Sequence, residues 1–111
     1  RRTRVGVLPY GYADGFLRSL SNNCSVYTAD GLVPQIGRIC MDMCMIDLPD
    51  APNVKVSDEV GIGGAHNPIE DMARAAGTIP YELICAVSKR VPRIYLRDGK
   101  EIFRELMLRM W

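Results

Sequence analysis

The sequence predicts a mainly β domain, a barrel or sandwich of short strands with two short helices set among them. Three observations carry this. Apolar residues recur at period two in short runs between Val5 and Leu48. The dipeptides Asp30-Gly31 and Asp98-Gly99 stand between such runs, as tight hairpin turns require. The two stretches with helical spacing are short, and each is bracketed by proline or glycine. A chain of 111 residues is long enough for one core and too short for two, so residues 1–111 are read as a single domain.

Arg4 to Tyr10 opens as a strand with Val5, Val7 and Pro9 on one side. The loop GYADGF follows, with Gly11 and Gly15 flanking Tyr12, Ala13 and Asp14, so the backbone is free to approach a neighbour closely on either side of the tyrosine. After the polar segment Ser19 to Ser25, Val26–Ala29 and Leu32–Ile39 are expected to form a hairpin about Asp30-Gly31.

The second arm runs into the apolar stretch Ile36 to Pro49, IGRICMDMCMIDLP, which is read as a central strand with a bulge or close approach at Gly37. Met43, Met45 and Asp47 alternate there with Cys44, Ile46 and Leu48, so both faces are expected to be covered. Arg38 and Asp42 interrupt the run, either as surface charges or as members of a site.

Pro49 to Pro52 end the strand, and Val54 to Val60 reads as another, closing in Gly61, Gly63 and Gly64. These glycines lack the Lys-Ser/Thr ending of a phosphate loop and the full dinucleotide spacing. Ile69 to Ala76 is expected as a helix with Pro68 in its first turn and Gly77 as its stop. Thr78 is expected to cap a second helix, with Pro80 in its first turn and Leu83, Ile84 and Val87 as its apolar stripe. Val91–Leu96 and Glu101–Arg104 form a last hairpin, and Leu106 to Trp111 is its continuation or a short helix.

Fourteen basic and thirteen acidic residues, without a block of either sign, give no footprint for nucleic acid or an anionic membrane. No stretch approaches the ~20 apolar residues of a membrane span, and no apolar signal region follows the opening Arg-Arg-Thr-Arg. A soluble, cytoplasmic protein is expected. Cys24, Cys40, Cys44 and Cys85 make no Cys-x-x-Cys pair and do not cluster with His66, so no metal site is expected. Cys40 and Cys44 would share one side of a strand as free thiols, with disulfide pairing left open. From the residues alone no catalytic set emerges.

Three segments add to this reading. PYGYADGFLR, IGRICMDMCMIDL and AAGTIPYELICAVSKRVPR together resemble, in order and at matching intervals, the C-terminal domain of alanine racemases. The resemblance covers almost the whole chain. It implies an antiparallel β-barrel that follows an N-terminal TIM-type barrel, and racemisation at the α-carbon of an amino acid carried on pyridoxal phosphate. That chemistry needs two proton-transferring groups on opposite faces of the substrate. In the family these are the cofactor lysine of the N-terminal barrel and a tyrosine of the second subunit, in a Ser-Tyr-Gly type motif upstream of the GYADG loop. Neither falls in this chain, so no catalytic residue is assigned and the fragment alone is expected to be inactive.

Carried over position by position, the resemblance makes Met41 the residue whose backbone N–H binds the substrate carboxylate, with Asp42 in support. Tyr81 becomes the tyrosine that bonds the cofactor phosphate. Tyr12, Arg18, Arg38 and Ile79 fall along the substrate entryway, and Tyr12 reads equally well as a loop-packing or interface residue. The implied partners are alanine, the N-terminal barrel and a second subunit of a homodimer, in the service of D-alanine supply for the cell wall. Two positions depart from the family: Met43 stands where glutamine is usual and Tyr10 where an aliphatic is usual. A serine-preferring relative, or a β module that associates without catalysing, are the alternatives.

Overall fold

A computed structural model describes residues 4–48 and 51–105. Strands β1 (Val5–Leu8), β2 (Ser25–Thr28), β3 (Gly31–Ile36) and β4 (Cys44–Asp47) precede helices α1 (Ile69–Ala76) and α2 (Pro80–Ala86), and β5 (Arg93–Arg97) and β6 (Lys100–Glu105) follow. The first four form one antiparallel sheet in the order β1-β4-β3-β2, and β5 pairs only with β6. The class is the expected one, mainly β with two short helices. Among the described residues no ladder joins the two sheets, so they do not close a barrel.

Alternation decides which sheet face is buried. Val26, Val33, Gln35 and Ile46 point inward, and Gly6 lies opposite Ile46, whose side chain a Cβ there would crowd at 3.0 Å. Val26, Val33 and Ile46 make one apolar cluster with Leu48, Ala51 and Val54. A second cluster, Phe16, Leu20, Ile39, Cys44, Met72, Ala73 and Leu83, seats both helices against the sheet's end, and Leu8 and Ile62 touch both clusters.

The opposite face is open, which corrects the expected two-sided cover. Val7 pairs with Met45, which pairs with Ile36, giving an apolar row across three strands; Val5, Val7, Leu32 and Met45 are exposed.

Other expectations fail for local reasons. The central stretch is not one strand: β3 ends at Ile36, Gly37 takes φ 75°, and residues 37–43 are a loop before β4. Cys40 is therefore exposed while Cys44 is buried, and the two do not share a strand face. Residues 54–60 are not a strand either, because the Asp58 carboxylate accepts the Lys55 N–H at 2.8 Å, Ser57 takes φ 75°, and Val56 is 97% exposed. The first hairpin turns at Ala29 and Asp30, one residue earlier than expected, with Thr28 opposite Gly31. The Thr28 hydroxyl donates to the Gly31 carbonyl at 2.8 Å and accepts the Asp30 N–H at 3.2 Å.

Pro68 is the N-cap of α1 rather than part of its first turn, and Gly77 ends that helix in the left-handed conformation. Thr78 does not cap α2. Ile79 holds that position, extended as a residue before proline must be, and the Thr78 hydroxyl donates to Glu82 at 2.8 Å. Leu83 is buried, whereas Ile84 is exposed. The final hairpin forms about Asp98-Gly99 as expected, both at positive φ. Its first strand starts two residues later and ends one later than expected, at Arg93–Arg97, and its second extends one residue further at each end, to Lys100–Glu105. Residues 106–111, expected as a helix or a continued strand, lie outside the described residues. No helix among the described residues is long and apolar enough to cross a membrane.

Candidate functional site

The three motif segments meet around Asp14. Tyr12 N–H donates to the Cys40 carbonyl at 3.0 Å and Ala13 N–H to the Met41 carbonyl at 2.8 Å, so the GYADG loop is laid backbone to backbone on the loop 37–43. Glycine is required for that approach: a Cβ on Gly11 would stand 2.2 Å from the Cys40 oxygen and 2.6 Å from the Met41 oxygen. Gly15, at φ 117°, makes a second close approach, to the end of α2, where a Cβ would lie 2.8 Å from the Val87 Cα.

Asp14 ties these contacts together. Only 8% exposed, it accepts the Gly11 N–H on Oδ2 at 3.1 Å and Arg90 Nε on Oδ1 at 2.7 Å, while its carbonyl accepts the Ser88 N–H at 3.1 Å. The Arg90 hydrogen bond holds the Asp14 carboxyl below its ordinary range, against burial, which acts the other way. Asp14 in turn raises the Arg90 guanidinium, and the Asp42 carboxylate adds a weaker contribution in the same direction. Asp42 is thus brought near the same arginine. Arg93 closes the segment after α2, donating to the carbonyls of Val87, Ser88 and Val91.

Met41 is 58% exposed, and its N–H has no acceptor among the described residues. Its own carbonyl and that of Cys40 are both engaged, so the loop presents a fixed, free amide outward.

Arg18 and Arg38 come together as well. The Ser21 hydroxyl donates to the Arg18 carbonyl at 2.6 Å and accepts the Ile39 N–H at 2.8 Å. The buried Gln35 accepts the Asn22 N–H and donates to the Ile36 and Gly37 carbonyls, and Asn22 accepts the Gly37 N–H. Arg18, Ser19, Ser21 and Arg38 line an open concavity of about 330 Å³. Ile79 and Tyr81, 60% and 76% exposed, stand at the start of α2, and Tyr81 makes no hydrogen bond among the described residues. The structure therefore groups Tyr12 with Met41 and Asp42, and Arg18 with Arg38, and leaves Ile79 and Tyr81 exposed at the start of α2.

Asp14, Arg90 and Gly11 are the residues that sequence reasoning did not assign to the site. The signal for Asp14 was its position three residues after Gly11, where an aspartate side chain reaches back to a backbone N–H. Its second partner lies 76 positions away, and no local pattern indicates that.

Burial pushes the Cys24 and Cys44 thiols up to about 11, so both are protonated at neutral pH. All four cysteines are free thiols.

Residues 1–95 match the family described as alanine racemase, C-terminal domain. The chain is 48% identical over 106 residues to alanine racemase 1 of Clostridium acetobutylicum, covering 92% of this chain and 28% of that protein. Its fold superposes on alanine racemase from Bacillus anthracis with bound L-Ala-P, with a TM-score of 0.83 and 35% identity, over 94% of this chain and 27% of that one. Alanine racemase from Bartonella henselae with covalently bound pyridoxal phosphate superposes with a TM-score of 0.79 and 34% identity, over 85% of this chain and 28% of that one. The chain thus spans little more than a quarter of the relatives it matches.

Proposed function

The chain belongs to the alanine racemase C-terminal domain family, and from that membership we propose that it is the β domain of a cytoplasmic, homodimeric, pyridoxal phosphate-dependent enzyme that interconverts L- and D-alanine for cell-wall precursors. The observation that carries this reading is the outward, unpartnered Met41 N–H, held from behind by the GYADG loop. A neutral amide fixed in this way binds a carboxylate oxygen without reorganising. Arg18 and Arg38 draw the anionic end of an amino acid toward the site, with Tyr12 and Ile79 lining its path.

The residues present fit one end of the cofactor. Tyr81 offers an exposed hydroxyl with no partner of its own among the described residues, suited to a charge-assisted bond with a phosphate oxygen. When bound, pyridoxal phosphate supplies the electron sink that makes the α-proton acidic. Lys55, Lys89 and Lys100 fall in the loop after β4, after α2 and at the start of β6. The lysine that carries the cofactor and the tyrosine opposite it are assigned to the upstream barrel and the second subunit, as in the family. The domain's own part is to bind the carboxylate, hold the phosphate and admit the substrate.

The departures from the family at Met43 and Tyr10 leave serine as the second reading of the substrate. The test is racemisation by the full-length protein, with L-alanine and L-serine compared, followed by borohydride reduction and peptide mapping. We expect alanine to be turned over faster and the reduced cofactor to map to none of Lys55, Lys89 or Lys100. Faster turnover of serine would select the alternative substrate. A cofactor fixed to one of those three lysines, or a full-length protein that racemises neither amino acid, would overturn the reading.

A further inference from the structure

We propose that Asp14, acting with Arg90, is a positioning residue for carboxylate recognition: the pair fixes the loop that aims the Met41 N–H. This rests on the reading of Met41 as the carboxylate donor. A trans peptide unit is planar and rigid, so the C=O of Cys40 and the N–H of Met41 point in opposite directions as one body. Tyr12 N–H holds that C=O at 3.0 Å, and therefore also sets the direction of the amide on the far side. Ala13 N–H holds the next carbonyl, Met41's own, at 2.8 Å. Both peptide units flanking Met41 are thus pinned by consecutive amides of one loop.

That loop has its shape from Asp14. The Gly11 carbonyl accepts the Asp14 N–H at 2.9 Å and the Phe16 N–H at 3.1 Å, and the Asp14 carboxylate returns to the Gly11 N–H at 3.1 Å. The other carboxylate oxygen is clamped by Arg90 at 2.7 Å. Ser88 N–H fixes the Asp14 backbone to the segment after α2. A continuous set of hydrogen bonds runs from that segment through Asp14 and the Tyr12 and Ala13 amides to Met41. Loosening its middle lets the Met41 N–H swing without removing any atom that meets the substrate.

The test uses the full-length holoenzyme and propionate, a carboxylate that lacks the amino group. Asp14→Asn and Arg90→Ala should each raise the KM for alanine and the inhibition constant of propionate about tenfold, as small misplacements of a binding group do. Cofactor content should be unchanged, and Arg90→Lys should recover part of the loss. Arg90 is half exposed, so its variants carry the test if Asp14→Asn does not fold. Reduced thermal stability with KM and propionate inhibition unaltered would make the pair a folding element only and overturn the inference. Met41→Pro serves as the reference. If it weakens propionate while the Asp14 and Arg90 variants do not, the positioning role alone is wrong; if it leaves propionate binding intact, the carboxylate role of Met41 fails and the inference with it.

Discussion

A Cβ on Gly11 would be driven into two carbonyl oxygens of the neighbouring loop, one of them 2.2 Å away. The obstacle is backbone, which cannot step aside as a side-chain tip can. Gly11→Ala should therefore fall at the severe end of overpacking, about 3 kcal/mol, measured by chemical unfolding of the full-length protein. An unfolding midpoint equal to that of the wild type would mean the two loops can part without loss. The glycine itself was legible in the sequence as permission for a close approach. What it approaches was not, because the partner carbonyls at Cys40 and Met41 lie some thirty positions on and no local periodicity encodes a meeting of two loops. The same holds for Asp14, whose near partner follows from turn chemistry and whose far partner, Arg90, follows only from the fold.

The elements that matched expectation are those whose signals are local. Asp98-Gly99 between two apolar runs, and acidic residues in the first turn of α1 with Gly77 after its last, each act within a few residues. The elements that did not match were decided by side chains reaching the backbone. The β-favouring composition of residues 36–49 suggested one strand, but Asn22 takes the Gly37 N–H and Ser21 the Ile39 N–H, turning the chain into the loop that displays Met41. Residues 54–60 lost their strand to the Asp58 carboxylate in the same manner. Helix α2 presents Tyr81 in its first turn, with the ring mostly exposed, so Tyr81→Phe should leave folding nearly intact. If Tyr81 holds the cofactor phosphate as proposed, the change removes one bond to a charged group, about 1.5–3 kcal/mol, or about ten- to a hundredfold in non-covalent cofactor affinity. Cofactor loss on dialysis of the full-length enzyme against an amine reads this directly. A fall in thermal stability with cofactor retention unchanged would instead make Tyr81 a packing residue.

At the scale of the molecule, the residues assigned to binding lie on the outside. Met41, Ile79 and Tyr81 are exposed, and Val5, Val7, Leu32 and Met45 leave one sheet face bare. The chain spans about 28% of a relative such as the Clostridium acetobutylicum enzyme. The fold class was legible from three short motifs and their order, whereas the open sheet face was not, because alternation shows that a strand has two faces and not which of them is covered. The proposed carboxylate recognition turns on one amide at Met41, and the affinity of the full-length enzyme for propionate tests it most directly. Met41→Leu preserves the N–H and nearly the volume, and should bind within about twofold of the wild type. Met41→Pro removes the N–H and fixes φ, and should bind at least about tenfold more weakly. Equal affinities in the two variants would contradict the account.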